Sequence, residues 1–145
     1  MFKKLAIINL LIIVTTSVQV LWSAPDALSA ADLSSSPIAY IEMICLYPMV
    51  LLTFFLQLFG RAKLRIVTQV AVFWVLIVSY WIMINYSEFD DRVASWSTFS
   101  STSIWFYVFI ETGIPLLVCL SIFSVGLFLT LKKFANKAFA ANKKW

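Results

Sequence analysis

The sequence predicts an all-α integral membrane protein, a four-helix bundle with its N-terminus and C-terminus both cytoplasmic. Three observations carry this reading. Of the 145 residues, 62% are hydrophobic and only 12% charged, whereas a soluble domain needs roughly a quarter charged residues to cover its surface. Four apolar runs each approach the roughly 20 residues that cross a hydrocarbon core about 30 Å thick. Basic and acidic residues segregate to alternate sides of those runs. The mean hydropathy of +0.94 agrees, and a chain of this length forms a single membrane domain, residues 1–145.

The spans follow in order. The first runs from Leu5 to Ser23 and the second from Ile38 to Phe59. The third covers Ile66 to Tyr86, and the fourth residues 103–131. Ala24-Pro25-Asp26 and Ser34-Ser35-Ser36-Pro37 bracket a first outer loop, 24–37. Gly60-Arg61-Ala62-Lys63 makes a tight cytoplasmic connection within 60–65, and a second outer loop rich in Ser and Thr covers 87–102; such clusters punctuate apolar segments. A basic tail, 132–145, closes the chain. A cleaved signal peptide is the weaker reading of the first span. Its apolar stretch is long for that role, and cleavage after Ala24 would put Trp22 where a small side chain belongs.

Charge fixes the orientation. Lys3 and Lys4 precede the first span, Arg61, Lys63 and Arg65 lie between the second and third, and Lys132, Lys133, Lys137, Lys143 and Lys144 follow the fourth. The other two loops hold Asp26, Asp32, Glu88, Asp90 and Asp91, with Arg92 their one base. Bases stay on the cytoplasmic side. Trp22, Tyr40, Tyr86, Trp105 and Tyr107 fall at the outer boundary, the headgroup level that amphipathic rings prefer.

Composition narrows the chemistry. There is no histidine, which excludes imidazole ligands and histidine acid–base catalysis. Cys45 and Cys119 read as small buried hydrophobes. No phosphate loop, activated nucleophile or nucleotide motif is present, so the chain reads as a non-enzyme with no cofactor and no metal. Asn85-Tyr86-Ser87 matches a glycosylation sequon but abuts the membrane. The net charge of +4 does not point to nucleic acid, because the same lysines satisfy the orientation rule and suit a helix end resting on anionic lipid.

Polar side chains inside the spans are costly in lipid and are expected to face other helices. At about 100° per residue, Asn9, Thr16, Gln19 and Ser23 share one face of the first span. Glu42, Thr53, Gln57 and Gly60 align on the second, beside Cys45 and Met49. Glu111, Pro115, Cys119, Gly126 and Thr130 drift along the fourth. On the third, Gln69 stacks under Tyr80 and Thr68 under Ser79. Glu42 and Glu111 stand out, because an intramembrane carboxylate is a functional hypothesis by default. They lie roughly 25 and 30 Å from the cytoplasmic ends of their spans. They are placed to approach one another across the bundle and share a proton, or to capture a basic group on a partner; Glu111, the deeper, is the stronger candidate for pairing. The expected partner-binding set is Glu111, Glu42, Thr53, Gln57, Asn9 and Gln19. Tyr40-Ile41-Glu42 before Pro48 is echoed by Phe109-Ile110-Glu111 before Pro115, but the spacings differ and the other spans show no such pair.

The layout resembles the immunity proteins of the colicin A type. Similar stretches are Pro25-Asp26-Ala27-Leu28, the series Glu42, Cys45, Pro48, and the closing Leu131-Lys132-Lys133. The outer loops are shorter than in that family. The resemblance implies a multi-pass protein of the bacterial inner membrane that binds a membrane-inserting, pore-forming toxin within the bilayer and blocks channel opening. Two other expectations stand beside it: an accessory subunit packed against a larger membrane complex, and a minimal proton- or cation-coupled transporter.

Overall fold

A computed structural model describes residues 2–23, 37–62, 64–93 and 100–142. Five helices occupy them: α1 (Phe2–Ser23), α2 (Pro37–Ala62), α3 (Ile66–Val93), α4 (Ser101–Ile110) and α5 (Gly113–Asn142). Among the described residues there is no strand. Four helices are long and apolar enough to cross a membrane, over Lys3–Ser23, Ile38–Gly60, Ile66–Asp90 and Gly113–Asn136. The protein is an all-α membrane helical bundle, as its sequence predicts.

Each helix buries one stripe at three- and four-residue spacing. Ile8, Ile12, Thr16, Gln19 and Val20 are buried on α1, and Cys45, Leu52, Leu56 and Phe59 on α2. Phe73, Ile77, Trp81 and Glu88 follow on α3, and Cys119, Phe123, Leu127 and Leu131 on α5. The opposite faces are equally apolar, with Leu10, Val14, Val50, Phe54, Val75 and Val125 exposed. In water such faces would drive association; in a bilayer they match the lipid.

Side-chain pairs define the directions. Asn9 meets Thr53 and Ser17 meets Cys45, so α1 and α2 are antiparallel. Phe59 packs on Phe73 while Tyr40 reaches Glu88, so α2 and α3 are antiparallel too. Thr16 with Trp81 and Gln19 with Asn85 make α1 and α3 parallel. Both α2 and α5 pack against α1 and α3 but not against each other. They therefore flank a central α1/α3 pair. This arrangement gathers Lys3, Lys4, Arg65, Lys132 and Lys133 at one end of the bundle, and Glu42, Glu88, Asp90 and Glu111 at the other.

Several boundaries differ from the sequence reading: α2 continues through the expected turn residues Gly60 and Arg61 to Ala62, and α4 takes in Ser101 and Thr102 from the expected outer loop. The third helix continues past Tyr86 to Val93. No Gly or Pro interrupts it, and its last turns find tertiary partners: the Tyr40 hydroxyl donates to the Glu88 carboxylate, and Phe89 stacks on Tyr107. The stretch 87–93 is thus helix, not outer loop; residues 94–99, like most of loop 24–37, lie outside the described residues. The basic tail is helical to Asn142, in keeping with its Ala and Lys content. The fourth span is broken between α4 and α5 at Glu111–Thr112. Pro115 explains the break, because it gives the Glu111 carbonyl no amide donor and its ring clashes there.

Candidate functional site at the acidic end

Three helices bring a buried polar cluster together where α4 meets α5. The Gln19 amide Nε2 donates to Asn85 Oδ1 and to Ser23 Oγ, both at 2.9 Å. Asn85 Nδ2 donates to Thr112 Oγ1 at 3.0 Å, and the Thr112 hydroxyl donates to the Val108 carbonyl. One turn deeper, Trp81 Nε1 donates to Thr16 Oγ1 at 3.1 Å. Gln19 and Asn85 are 0% and 3% exposed, so these bonds replace water rather than compete with it. The chain ties α1 to α3 and α3 to the helix break. Gln19 Oε1 is buried without a hydrogen-bond partner among the described residues. A small cavity beside the cluster, lined by Ser23, Asn85, Glu88 and Thr112 among others, has about 10 Å³ of space, close to the minimum for one water.

The expected partner-binding residues scatter. Gln19 is in the cluster. Asn9 and Thr53 exchange hydrogen bonds at 3.4 Å across α1 and α2 and are half-buried. Glu42 and Gln57 are exposed, a correction to the inward stripe expected on α2. The buried face of that helix is Ile44, Cys45, Pro48, Leu52, Leu56 and Phe59, about 100° round from the polar set. Turning the apolar face inward spares the carboxylate and the amide a desolvation cost. On α3, Thr68 and Ser79 are exposed too, and Gln69 caps the turn by donating to the Leu64 carbonyl at 2.8 Å.

Glu111 is also exposed. It ends α4 in helical conformation, with φ −75° and ψ −39°, and its amide donates to the Tyr107 carbonyl at 2.9 Å. The kink carries it to the bundle surface while Pro115 and Cys119 stay buried. Glu42 and Glu111 therefore do not meet. They sit on helices that flank the α1/α3 pair and have no contact with one another. Cys45 and Cys119 are buried and unbridged, again on these two separated helices.

Of the residues at this site, the sequence offered Asn85 as a sequon and Glu88 as an outer-loop acid, and did not mark Thr112. A signal existed for two of them: the Phe73, Ile77, Trp81 stripe continues four residues on to Asn85 and three more to Glu88, the helical spacing of one face. Asn85 is too buried to be a glycan acceptor. Thr112 becomes central only because the chain bends there.

Beside Glu111 lies an open groove of about 470 Å³. Ser100, Thr102 and Ser103 line one end, Phe89, Phe106 and Tyr107 the middle, and Glu111 the other end. Ser100 caps α4, its side chain accepting from the Ser103 amide at 3.3 Å. Among the described residues no three His, Cys, Asp or Glu side chains are grouped to hold a metal ion. Compared with protein families, curated proteins and solved structures, the chain matches none.

Proposed function

We propose that this chain is a small membrane-embedded binding protein, not an enzyme, and that its partner is another membrane protein docked along the outward face of α2. One observation carries the reading: Glu42 and Gln57 are both exposed on that helix, within about 60° of one another. An exposed Ser can satisfy itself within its own helix, as Ser121 does on the Leu117 carbonyl at 2.8 Å. A glutamine has two donors and an acceptor, more than one local bond satisfies. Facing lipid, it gains from a second helix that supplies hydrogen bonds. Between the two polar residues, Met43, Leu46, Val50 and Phe54 offer an apolar surface.

The resemblance to colicin A-type immunity proteins gives the binding reading its concrete form. The partner is then a pore-forming toxin inserting into a bacterial inner membrane, and the protein holds its helices in a closed arrangement. Charge segregation supports the orientation, with the basic end cytoplasmic. The accessory-subunit reading uses the same surface. The transporter reading is less well supported, because Glu42 and Glu111 face outward on opposite flanks.

The test is protection of toxin-sensitive cells by this protein alone, combined with photo-crosslinking residues at Val50 and Phe54 on α2 and at Leu117 on α5. Adducts with the toxin from α2, and loss of protection in a Glu42→Gln, Gln57→Leu variant that still accumulates in the membrane, are expected. Full protection by that variant would move the interface elsewhere. Adducts at fixed stoichiometry with a resident membrane protein, in place of the toxin, would favour the accessory subunit.

A further inference from the structure

We infer that the open groove between α3 and α5, at the basic end of the bundle, binds an anionic phospholipid of the phosphatidylglycerol class, with the phosphate at Lys132 and an acyl chain along the groove. The groove has a volume of about 720 Å³. Val67, Val70, Trp74 and Val75 of α3 form one wall, and Val125 and Phe128 of α5 the other. The Ser121 hydroxyl, which also lines it, is committed to the Leu117 carbonyl at 2.8 Å. The lining is therefore apolar and suits a hydrocarbon chain.

Positive charge stands at the mouth. Lys132 follows Phe128 by one turn on the same face of α5, and its ammonium lies 5.9 Å from the centre of the Phe128 ring. That contact holds the side chain over the groove wall and leaves ammonium donors for a phosphate oxygen. Asn85 bonds Thr112, and Arg65 precedes Asn85 by as many residues as Lys132 follows Thr112. The two helices are antiparallel and rise equally, about 1.5 Å per residue, so the head of α3 is level with Lys132. Arg65 stands there, exposed, just before Ile66. The leading amides of α3 point toward the same end, and its first turn holds no acidic residue. From this level, Val67 to Val75 runs about 12 Å toward the bilayer centre, the direction an acyl chain takes from its phosphate.

Charge complementarity selects the occupant. Of the seven Asp and Glu residues, none falls within 1–25, 43–87 or 112–145, the stretches that build the groove and the basic end around it. Bases beside a groove between membrane helices suit an anionic headgroup. A second copy, inserted in the same direction, would bring its own basic end to this level, with no acidic side chain to meet Lys132. Phosphatidylethanolamine would add an ammonium beside the same bases. Phosphatidylglycerol brings the phosphate charge alone.

The inference does not rest on the α2 interface, since the groove is built by α3 and α5. The full-length protein is reconstituted in vesicles of phosphatidylglycerol and phosphatidylethanolamine, each lipid in turn carrying a diazirine on its acyl chain, and the photo-adducts are mapped by mass spectrometry. Phosphatidylglycerol should label Trp74, Val75 and Val125 above the exposed Leu10 and Val14 of α1, and phosphatidylethanolamine should not. That comparison uses the parent alone, so it stands even where a substitution impairs folding. Lys132→Gln should lower the groove labelling about fivefold. Lys133→Gln, which removes the same charge from another face of α5, should leave it near the parent level. Even labelling of the groove and α1 would reduce the contact to the ordinary lipid shell and overturn the proposal. Equal labelling by the two lipids, or equal losses in the two lysine variants, would overturn it too. So would a photoreactive residue at Val75 that yields chain dimers in place of lipid adducts, which would give the groove to a second copy.

Discussion

The Tyr80 hydroxyl on α3 donates to the Ile44 carbonyl on α2 at 2.6 Å. Ile44 lies four residues before Pro48, inside a continuous helix, so its carbonyl has no amide to accept from. A tyrosine from the neighbouring helix fills the vacancy left by the proline. Tyr47 stacks on the same tyrosine with ring centroids 5.0 Å apart, which fixes the ring that delivers the bond. Tyr80→Phe should destabilise the bundle by about 1 kcal/mol, the scale of interhelical polar contacts in membranes. In a Pro48→Ala background, where a backbone amide again reaches Ile44, the same change should cost measurably less. Reversible unfolding in bicelles gives both values. An equal cost in the two backgrounds would separate the bond from the proline.

Asn85 joins Gln19 to Thr112, so its removal deletes two buried hydrogen bonds, one to α1 and one to the break between α4 and α5. Asn85→Ala should cost about 2 kcal/mol, since two buried hydrogen bonds of about 1 kcal/mol each are lost. Gln19→Leu should cost less once Asn85 is gone, and the double variant should show a coupling above about 0.5 kcal/mol. Strict additivity would mean that the cluster does not act as a unit.

Gly126 lets α5 approach α1. A Cβ there would come within 2.8 Å of a Leu11 methyl. Because the obstacle is the far end of a flexible side chain, Gly126→Ala should be mild. Gly126→Ile overfills the contact and should cost about 1–3 kcal/mol. Leu11→Ala should recover part of that loss. If the isoleucine variant is as stable as the parent, the close approach is not limiting.

Topology is open to a direct check. Reporter fusions at Asp32 and Ser95 should read as outside, and fusions at Lys63 and after Trp145 as cytoplasmic, following the distribution of bases. A cytoplasmic signal at Ser95 would reverse the assignment for the second half of the chain.

The sequence by itself determined that the chain carries four apolar spans, and with them the class of fold. Spanning a bilayer is a property of local composition and length, and both are written along the chain. It also marked the inward face of α1, where Asn9, Thr16, Gln19 and Ser23 share a side and turn toward the bundle. The faces of the other helices were decided by tertiary structure. Lipid is as apolar as the core, so hydrophobic period does not distinguish inside from outside, and a few polar residues are a weak guide. On α2 the apolar stripe through Cys45, Pro48 and Leu52 packed inward and left Glu42 and Gln57 outside. Pro115 announced a disturbance in the fourth span. Only the packed structure decided that the chain would break at Glu111–Thr112, because there the Asn85 amide donates to Thr112 Oγ1 and draws it into the buried cluster while the Glu111 carboxylate stays exposed on the surface.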